Sequence, residues 1–239
     1  MTAPLGAGLA QAYGLNARQR GQLEAILRTL EQDEHAPTTV RAAAQALDVH
    51  VADSLTALDV AAMSEARRIA DLGAGAGFPG VALAVALPAA EVALVESQRR
   101  KCDFLLRMCA SGQVENATVV CARAEQWLAG MAANDVVLAR ALAAQPVVLE
   151  YAAPLLRSGG TLVDWRGRRD QAEEEAAARA AATLGLERLK ICRVEPFAGA
   201  TDRHLHVFVK VAQTPARFPR RPGMARKRPL GAARTDDQR

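Results

Sequence analysis

Between Asp71 and Gly80 the chain reads Asp-Leu-Gly-Ala-Gly-Ala-Gly-Phe-Pro-Gly. The apolar run Ile69–Leu72 precedes it and the apolar run Val81–Leu87 follows it. The first has the length of a buried strand and the second reads as a helix. Glycines at 73, 75, 77 and 80 let the backbone turn tightly and let a ligand come close. A strand, a glycine turn and a helix in that order form a nucleotide-binding layout. They commit the chain to a layered α/β architecture.

The rest of the sequence repeats the alternation. Further strands are expected at Val92–Val95, Thr118–Cys121, Val136–Ala139 and Thr161–Trp165. Helices are expected between them, at Arg99–Ala110, Ala124–Ala129, Pro146–Leu156 and Asp170–Leu184. Such alternation builds parallel βαβ units. After Gly185 the helices stop, and Leu189–Val194 with Leu205–Val211 read as an antiparallel edge hairpin. No strand signal precedes residue 67. Leu23, Ile26, Leu27 and Leu30 recur at helical spacing, so residues 16–31 read as an amphipathic helix, and Thr39 is placed to cap a second helical region reaching about Ala57. Residues 1–14 read as frayed. The expected organisation is a helical cap at 1–66, an α/β domain at 67–213 and a basic, flexible tail at 214–239. The expected fold is a mostly parallel, doubly wound Rossmann-like sheet closed by an antiparallel hairpin, as in class I methyltransferases.

Charge separates the tail from the body. From Pro215 to Arg239 there are eight basic and two acidic residues, whereas the whole chain is only +4, so the body before the tail is net negative. A tail of this kind can contact phosphate without a basic body behind it. Cys102, Cys109, Cys121 and Cys192 show neither a CxxC pair nor a zinc spacing and read as reduced thiols. No cluster has metal-ligand spacing. There is no signal-peptide pattern and no long uncharged apolar stretch, so a cytoplasmic chain with no membrane partner is expected.

Two ligands compete for the glycine turn. Gly75 to Gly80 fits G-x-G-x-x-G, so a dinucleotide is a candidate. Asp71 favours the other candidate, S-adenosyl-L-methionine: a carboxylate at the strand end suits a ligand carrying an ammonium group and repels a pyrophosphate. Pro79 removes an N–H that a pyrophosphate would use. Glu96, ending the second strand, can take ribose hydroxyls in either case. Glu125 follows the third strand and can reach an adenine, or stand as a solvated acid in a first helical turn.

The fourth strand exits through Ala139-Arg140-Ala141-Leu142. It lacks the Asn/Asp-Pro-Pro-aromatic segment that holds an exocyclic amine, and no cysteine sits there to attack a pyrimidine ring. A ring nitrogen such as guanine N7 offers its lone pair without losing a proton, so no general base is required, and alignment with electrostatics supplies the rate. Arg140 then reads as a binding residue. His50 and Asp53, one helical turn apart, are candidates to face the pocket from the cap or to serve the core edge. His204 and His206 alternate with apolar residues and read as solvent-facing on an edge strand.

Several segments together carry a resemblance. DLGAGAGFPG at 71–80, LVESQRRKCDF at 94–104, ARAE at 122–125, ARAL at 139–142, TTVR at 38–41, HVADSL at 50–55 and FPRRPGMARKRPL at 218–230 resemble the RsmG (GidB) small-subunit rRNA methyltransferases. The resemblance implies transfer of methyl from S-adenosyl-L-methionine to N7 of a guanine in 16S rRNA, position 527 in standard rRNA numbering. The partner would be 16S rRNA, the small ribosomal subunit or its assembly intermediate, with no oligomer required. Carried onto matching positions, the donor site would use Gly73, Phe78, Ala124, Glu125 and Arg140, supported by Asp71, Gly75, Gly77 and Glu96. The family commonly carries Lys-Gly after the fifth strand, where this chain has Arg166-Gly167. That change keeps the charge and alters its geometry. Other class I acceptors and a non-catalytic ribosome-assembly role are the alternatives.

Overall fold

The computed structural model describes residues 7–231, which build a seven-stranded sheet covered by helices on both faces. The cap contains α1 (Ala7–Ala12), α2 (Ala17–Gln32), α3 (Ala43–Ala46), a π-helical turn at Leu47–Ala52, α4 (Asp53–Leu55), a 3₁₀ turn at Thr56–Asp59 and α5 (Ala62–Glu65). Then follow β1 (Arg68–Leu72), α6 (Gly80–Ala86), β2 (Glu91–Glu96), α7 (Arg99–Ser111) and β3 (Ala117–Cys121). The second half is β4 (Asn134–Arg140), α8 (Gln145–Ala152), β5 (Leu156–Arg166), α9 (Gln171–Leu184), β6 (Leu186–Arg193), β7 (His204–Lys210) and α10 (Met224–Lys227).

Strand order is β3-β2-β1-β4-β5-β7-β6. The first five run parallel, and β7 is antiparallel to both β5 and β6. The order reverses between β1 and β4, which opens a crevice at the carboxyl ends of the strands, where open α/β sheets bind ligands. Strand pleating sends alternate residues to opposite cores. Ile69, Leu94, Val136, Leu138 and Val163 join one apolar cluster with α2, α6 and α7 residues. Ala70, Leu72, Val137, Ala139 and Leu162 join the other with α8 and α9 residues.

The expected parallel sheet, hairpin and cap are present, and the differences have local causes. Helix α2 starts where Asn16 caps it: Gln19 N donates to Asn16 Oδ1 at 3.0 Å, and Asn16 N donates back to Gln19 Oε1 at 2.9 Å. Its Leu23, Ile26 and Leu30 are fully buried in the same cluster as Phe104 and Leu105, so the cap shares the sheet's core. Residues 7–12, expected to fray, form α1. Thr39 caps nothing, since the next helix starts after Ala42 with no side-chain cap. The helix expected at Ala124–Ala129 is two 3₁₀ turns, Ala124–Gln126 and Leu128–Gly130. β7 lies inside the sheet, so of the hairpin's two strands β6 alone is an edge. His206 is accordingly 2% exposed, against the expectation that it faces solvent.

The basic tail differs most. Residues 214–231, expected to be flexible, are seated on α8 and α9. Phe218 and Ala225 are buried in the second core cluster. Arg220 Nε donates to Glu150 Oε1 at 2.7 Å, and its Nη2 makes a second contact with Glu150 Oε2. Arg179 Nε donates to the Gly231 carbonyl at 3.0 Å. Residues 1–6 and 232–239, including Arg234 and Arg239, lie outside the described residues.

Candidate active site

The glycine turn sits at the β1/β4 switch. Gly73 has φ +69, a conformation that suits glycine. A Cβ there would stand 2.5 Å from Leu142 Cδ1, so the loop after β4 closes directly on this backbone. Gly73 N donates to the Val95 carbonyl at 2.8 Å, which ties the turn to β2.

Asp71 and Glu96 take different roles. Asp71 is fully buried, and its Oδ2 accepts from Gly80 N at 2.8 Å. Burial pushes its carboxyl up to about 7, against the pull of Gly80 N–H and Arg140 and with the support of the Glu96 charge. Asp71 thus bolts the start of α6 to β1 from beneath the turn. The space between them is tight, since a Cβ on Gly80 would come within 2.6 Å of Asp71 Oδ2. Glu96, at the end of β2, faces the turn. Its Oε2 accepts from Gly75 N at 3.2 Å, and its Oε1 accepts from Gln98 N at 2.8 Å. Both bonds come from backbone, so the carboxylate is held at the crevice rim where ribose hydroxyls are usually read.

Arg140 ends β4 and is gripped by the cap. Its Nη1 donates to Asp53 Oδ2 at 2.8 Å and to the Val49 carbonyl at 3.2 Å. Its Nη2 lies 3.3 Å from His50 Nδ1. His50 stacks on Phe78, with ring centroids 5.0 Å apart and planes 9° apart. Burial, then the Arg140 charge, pushes the His50 imidazole down to about 4. The ring is neutral near pH 7, so Nδ1 can accept from Arg140, and the proton belongs on Nε2, 3.2 Å from Thr38 Oγ1. Both His50 and Asp53 are buried. The π-helical turn places both on the face that meets Arg140. Asp53 Oδ1 remains buried without a hydrogen-bond partner.

A family model described as rRNA small subunit methyltransferase G matches residues 22–205. The chain belongs to this family. It is 40% identical over 188 residues to "Ribosomal RNA small subunit methyltransferase G" of Rubrobacter xylanophilus, covering 76% of this chain and 72% of the relative. The protein of the same name from Syntrophomonas wolfei is 38% identical over 186 residues, covering 77% of this chain and 86% of the relative. Among solved structures, a SAM-dependent O-methyltransferase from Thermotoga maritima superposes with TM-score 0.52 at 15% identity, covering 68% of this chain and 66% of that one. That likeness shows the fold, which is the class I methyltransferase fold.

Membership in the rRNA small subunit methyltransferase G family gives the remaining residues a context. Arg166 is anchored: Nη1 donates to the Ala143 carbonyl at 2.9 Å, Nη2 contacts Glu173, and Nε lies 3.9 Å from Asp164. Beneath it Gln145 Nε2 is 2.9 Å from both Asp164 Oδ2 and His206 Nδ1. Burial pushes Asp164 up to about 7 and His206 down to about 4. Glu125 Oε1 accepts from Gly223 N of the tail at 3.1 Å. Sequence reasoning missed Gln145 and this tail contact. Only the Gln145-Pro146 helix start could have drawn attention to one of them. Among the described residues there is no candidate metal cluster and no helix long and apolar enough to cross a membrane.

Proposed function

We propose that this chain transfers a methyl group from S-adenosyl-L-methionine to N7 of a guanine in 16S rRNA, at position 527 in standard numbering. The observation that carries the reading is the meeting of three features at one sheet edge in a chain of this family: the glycine turn, the Glu96 carboxylate bonded to Gly75 N, and Arg140 pinned by Asp53 and by the His50 ring that stacks on Phe78. The residues present fit the donor. Gly73 keeps its backbone open to close approach, and Glu96 presents an acceptor pair beside it. Gly73, Phe78, Ala124, Glu125 and Arg140 would hold the donor, with Gly75, Gly77, Glu96 and the buried Asp71 supporting the turn. When bound, the donor supplies an electrophilic methyl on a sulfonium.

The chain's own residues then bind, orient and exclude water. Guanine N7 attacks through an in-plane lone pair, so no side chain has to remove a proton. Neutral His50 does not add a positive charge where the base becomes cationic, and the Arg140 charge is already offset by Asp53. The division of labour proposed is donor binding by residues 67–213, with the cap at 1–66 and the tail at 214–239 receiving rRNA as a subunit or an assembly intermediate. Phosphate contacts fix the register and a base from a structured loop is presented edge-on. Primer-extension mapping of N7-methylguanine in 16S rRNA, with and without this gene, tests the proposal. Loss of the modification at that guanine is expected on deletion, and an unchanged signal refutes the assigned acceptor. Calorimetric binding of S-adenosyl-L-methionine but not NAD is expected from the turn.

A further inference from the structure

The carboxyl-terminal strap touches both loops on which donor binding depends. Gly223 N donates to Glu125 Oε1 at 3.1 Å. Arg226 Nη2 donates to the Leu142 carbonyl at 2.9 Å. Leu142 is the residue that closes on Gly73, with Cδ1 at 2.5 Å from the position of a Cβ there. One arm of the strap thus reaches Glu125 directly, and the other reaches the glycine turn through a single side chain. Burial, then the Glu125 charge, raises the Tyr151 hydroxyl above its ordinary value, and Arg226 pulls it the other way, so all three groups act on one another here.

The loop after β4 needs such support. Ala141 has φ +52, a left-handed conformation that a residue with a side chain adopts only when its surroundings enforce it. Two guanidiniums do so here, on consecutive carbonyls: Arg226 on Leu142 and Arg166 on Ala143 at 2.9 Å. The strap itself is fixed independently of these contacts, by buried Phe218 and by the Arg220–Glu150 pair. Its sequence from Thr214 to Gly231 contains no acid, and Arg221, Lys227 and Arg228 are exposed. Its inner side is therefore committed to the domain, and its outer side is a run of cations suited to phosphate.

We propose that the strap is part of the donor site: Arg226 and Gly223 are positioning residues that hold the Leu142 loop and Glu125 in the arrangement that binds S-adenosyl-L-methionine. The outer cations meet RNA, so one short segment serves donor and acceptor from its two sides. This rests on the donor assignment above.

Full-length variants separate the two sides. Donor affinity is measured by calorimetry without RNA, beside melting temperature and affinity for transcribed 16S rRNA. Arg226→Met keeps the apolar stem and removes the donor to Leu142. It is expected to weaken S-adenosyl-L-methionine binding by about three- to ten-fold, the worth of one hydrogen bond, at a melting temperature within about 2 °C of the unaltered chain. Arg226→Lys, which can still reach a carbonyl, is expected to restore most of the affinity. The triple change Arg221→Gln, Lys227→Gln and Arg228→Gln is expected to lower rRNA affinity and flatten its salt dependence while donor affinity holds. Unchanged donor binding in Arg226→Met overturns the inference and leaves the donor assignment standing. Failure of the unaltered chain to bind the donor overturns that assignment, and the inference with it.

Discussion

Arg140 and Asp53 form the contact most exposed to a quantitative test. Asp53 is 2% exposed at its side chain and Arg140 15%, so both charges are largely out of water. Breaking a buried pair by removing one partner costs about 3–5 kcal/mol, because the other charge is left uncompensated. In Asp53→Ala the loss is smaller, since Arg140 keeps the Val49 carbonyl, His50 Nδ1 and some solvent. About 2–3 kcal/mol is expected there. Arg140→Met strands Asp53, whose Oδ1 already lacks a partner, and about 3 kcal/mol is expected. The double variant removes both charges, so its loss falls well short of the sum, with a coupling of about 1.5–3 kcal/mol. Urea unfolding of the four proteins at pH 7, with the slopes compared to confirm a common transition, measures the cycle. A coupling under about 0.5 kcal/mol would mean that the two side chains do not depend on each other, and would refute the account of how the cap holds the site. The same Arg140→Met protein carries a second readout. It removes the lesser of two causes that hold His50 near 4, so the imidazole pKa rises yet stays below its ordinary 6.5, because burial remains. A histidine NMR titration shows this.

Gly73→Ala places a Cβ at φ +69 and against Leu142, costing about 1–3 kcal/mol, and is expected to lower the melting temperature by roughly 2–10 °C while weakening donor binding. No change in either quantity would remove the case for close backbone approach. Asp164 is raised in the folded chain from 3.8 to about 7, so the folded protein holds a proton that the unfolded chain releases, and the stability linked to it is present at low pH and lost as pH rises through about 7. Asp164→Asn, which can still accept from Gln145, is expected to flatten the decline of unfolding free energy between about pH 4 and 7. A decline of unaltered steepness rejects that origin. Arg220→Met strands buried Glu150 and is expected to cost about 2–4 kcal/mol and to expose the strap to trypsin at Arg217. A digestion pattern identical to that of the unaltered chain would show that the pair does not hold the strap.

What could be read from the sequence was local, and what could not was a matter of partners. Ile69–Leu72 and Val92–Val95 announce themselves because a strand buried on both faces is a short apolar run, and the structure places β1 and β2 there. Asp71 was recognisable as a significant acid, but its partner, Gly80 N, lies nine residues away across a turn whose shape no pattern encodes. His50 and Asp53 could be seen to share a helical face. That the face meets Arg140, about ninety residues on, depends on how the cap folds over the sheet. His206 sits in an alternating run that normally has a solvent side, and α9 covers that side. The tail misled for a related reason. Rich in proline, glycine and arginine, it has few apolar residues, and Phe218, Ala225 and Leu230 find their burial on surfaces supplied by α8 and α9.

Three segments remote in sequence therefore converge on the carboxyl edge: the cap through Asp53 and His50, the strand ends through Glu96 and Arg140, and the strap through Gly223 and Arg226. They do not contribute in the same way. Arg140 neutralises a buried acid, so any change there alters folding and binding together, and a loss of methylation in an Arg140 variant says little about contact with a ligand. Arg226 donates to an exposed loop from an exposed position and neutralises no buried acid. Its effect on donor binding can be read without a change in folding. For that reason the strap, the segment least legible in the sequence, offers the cleaner test of how the site is assembled.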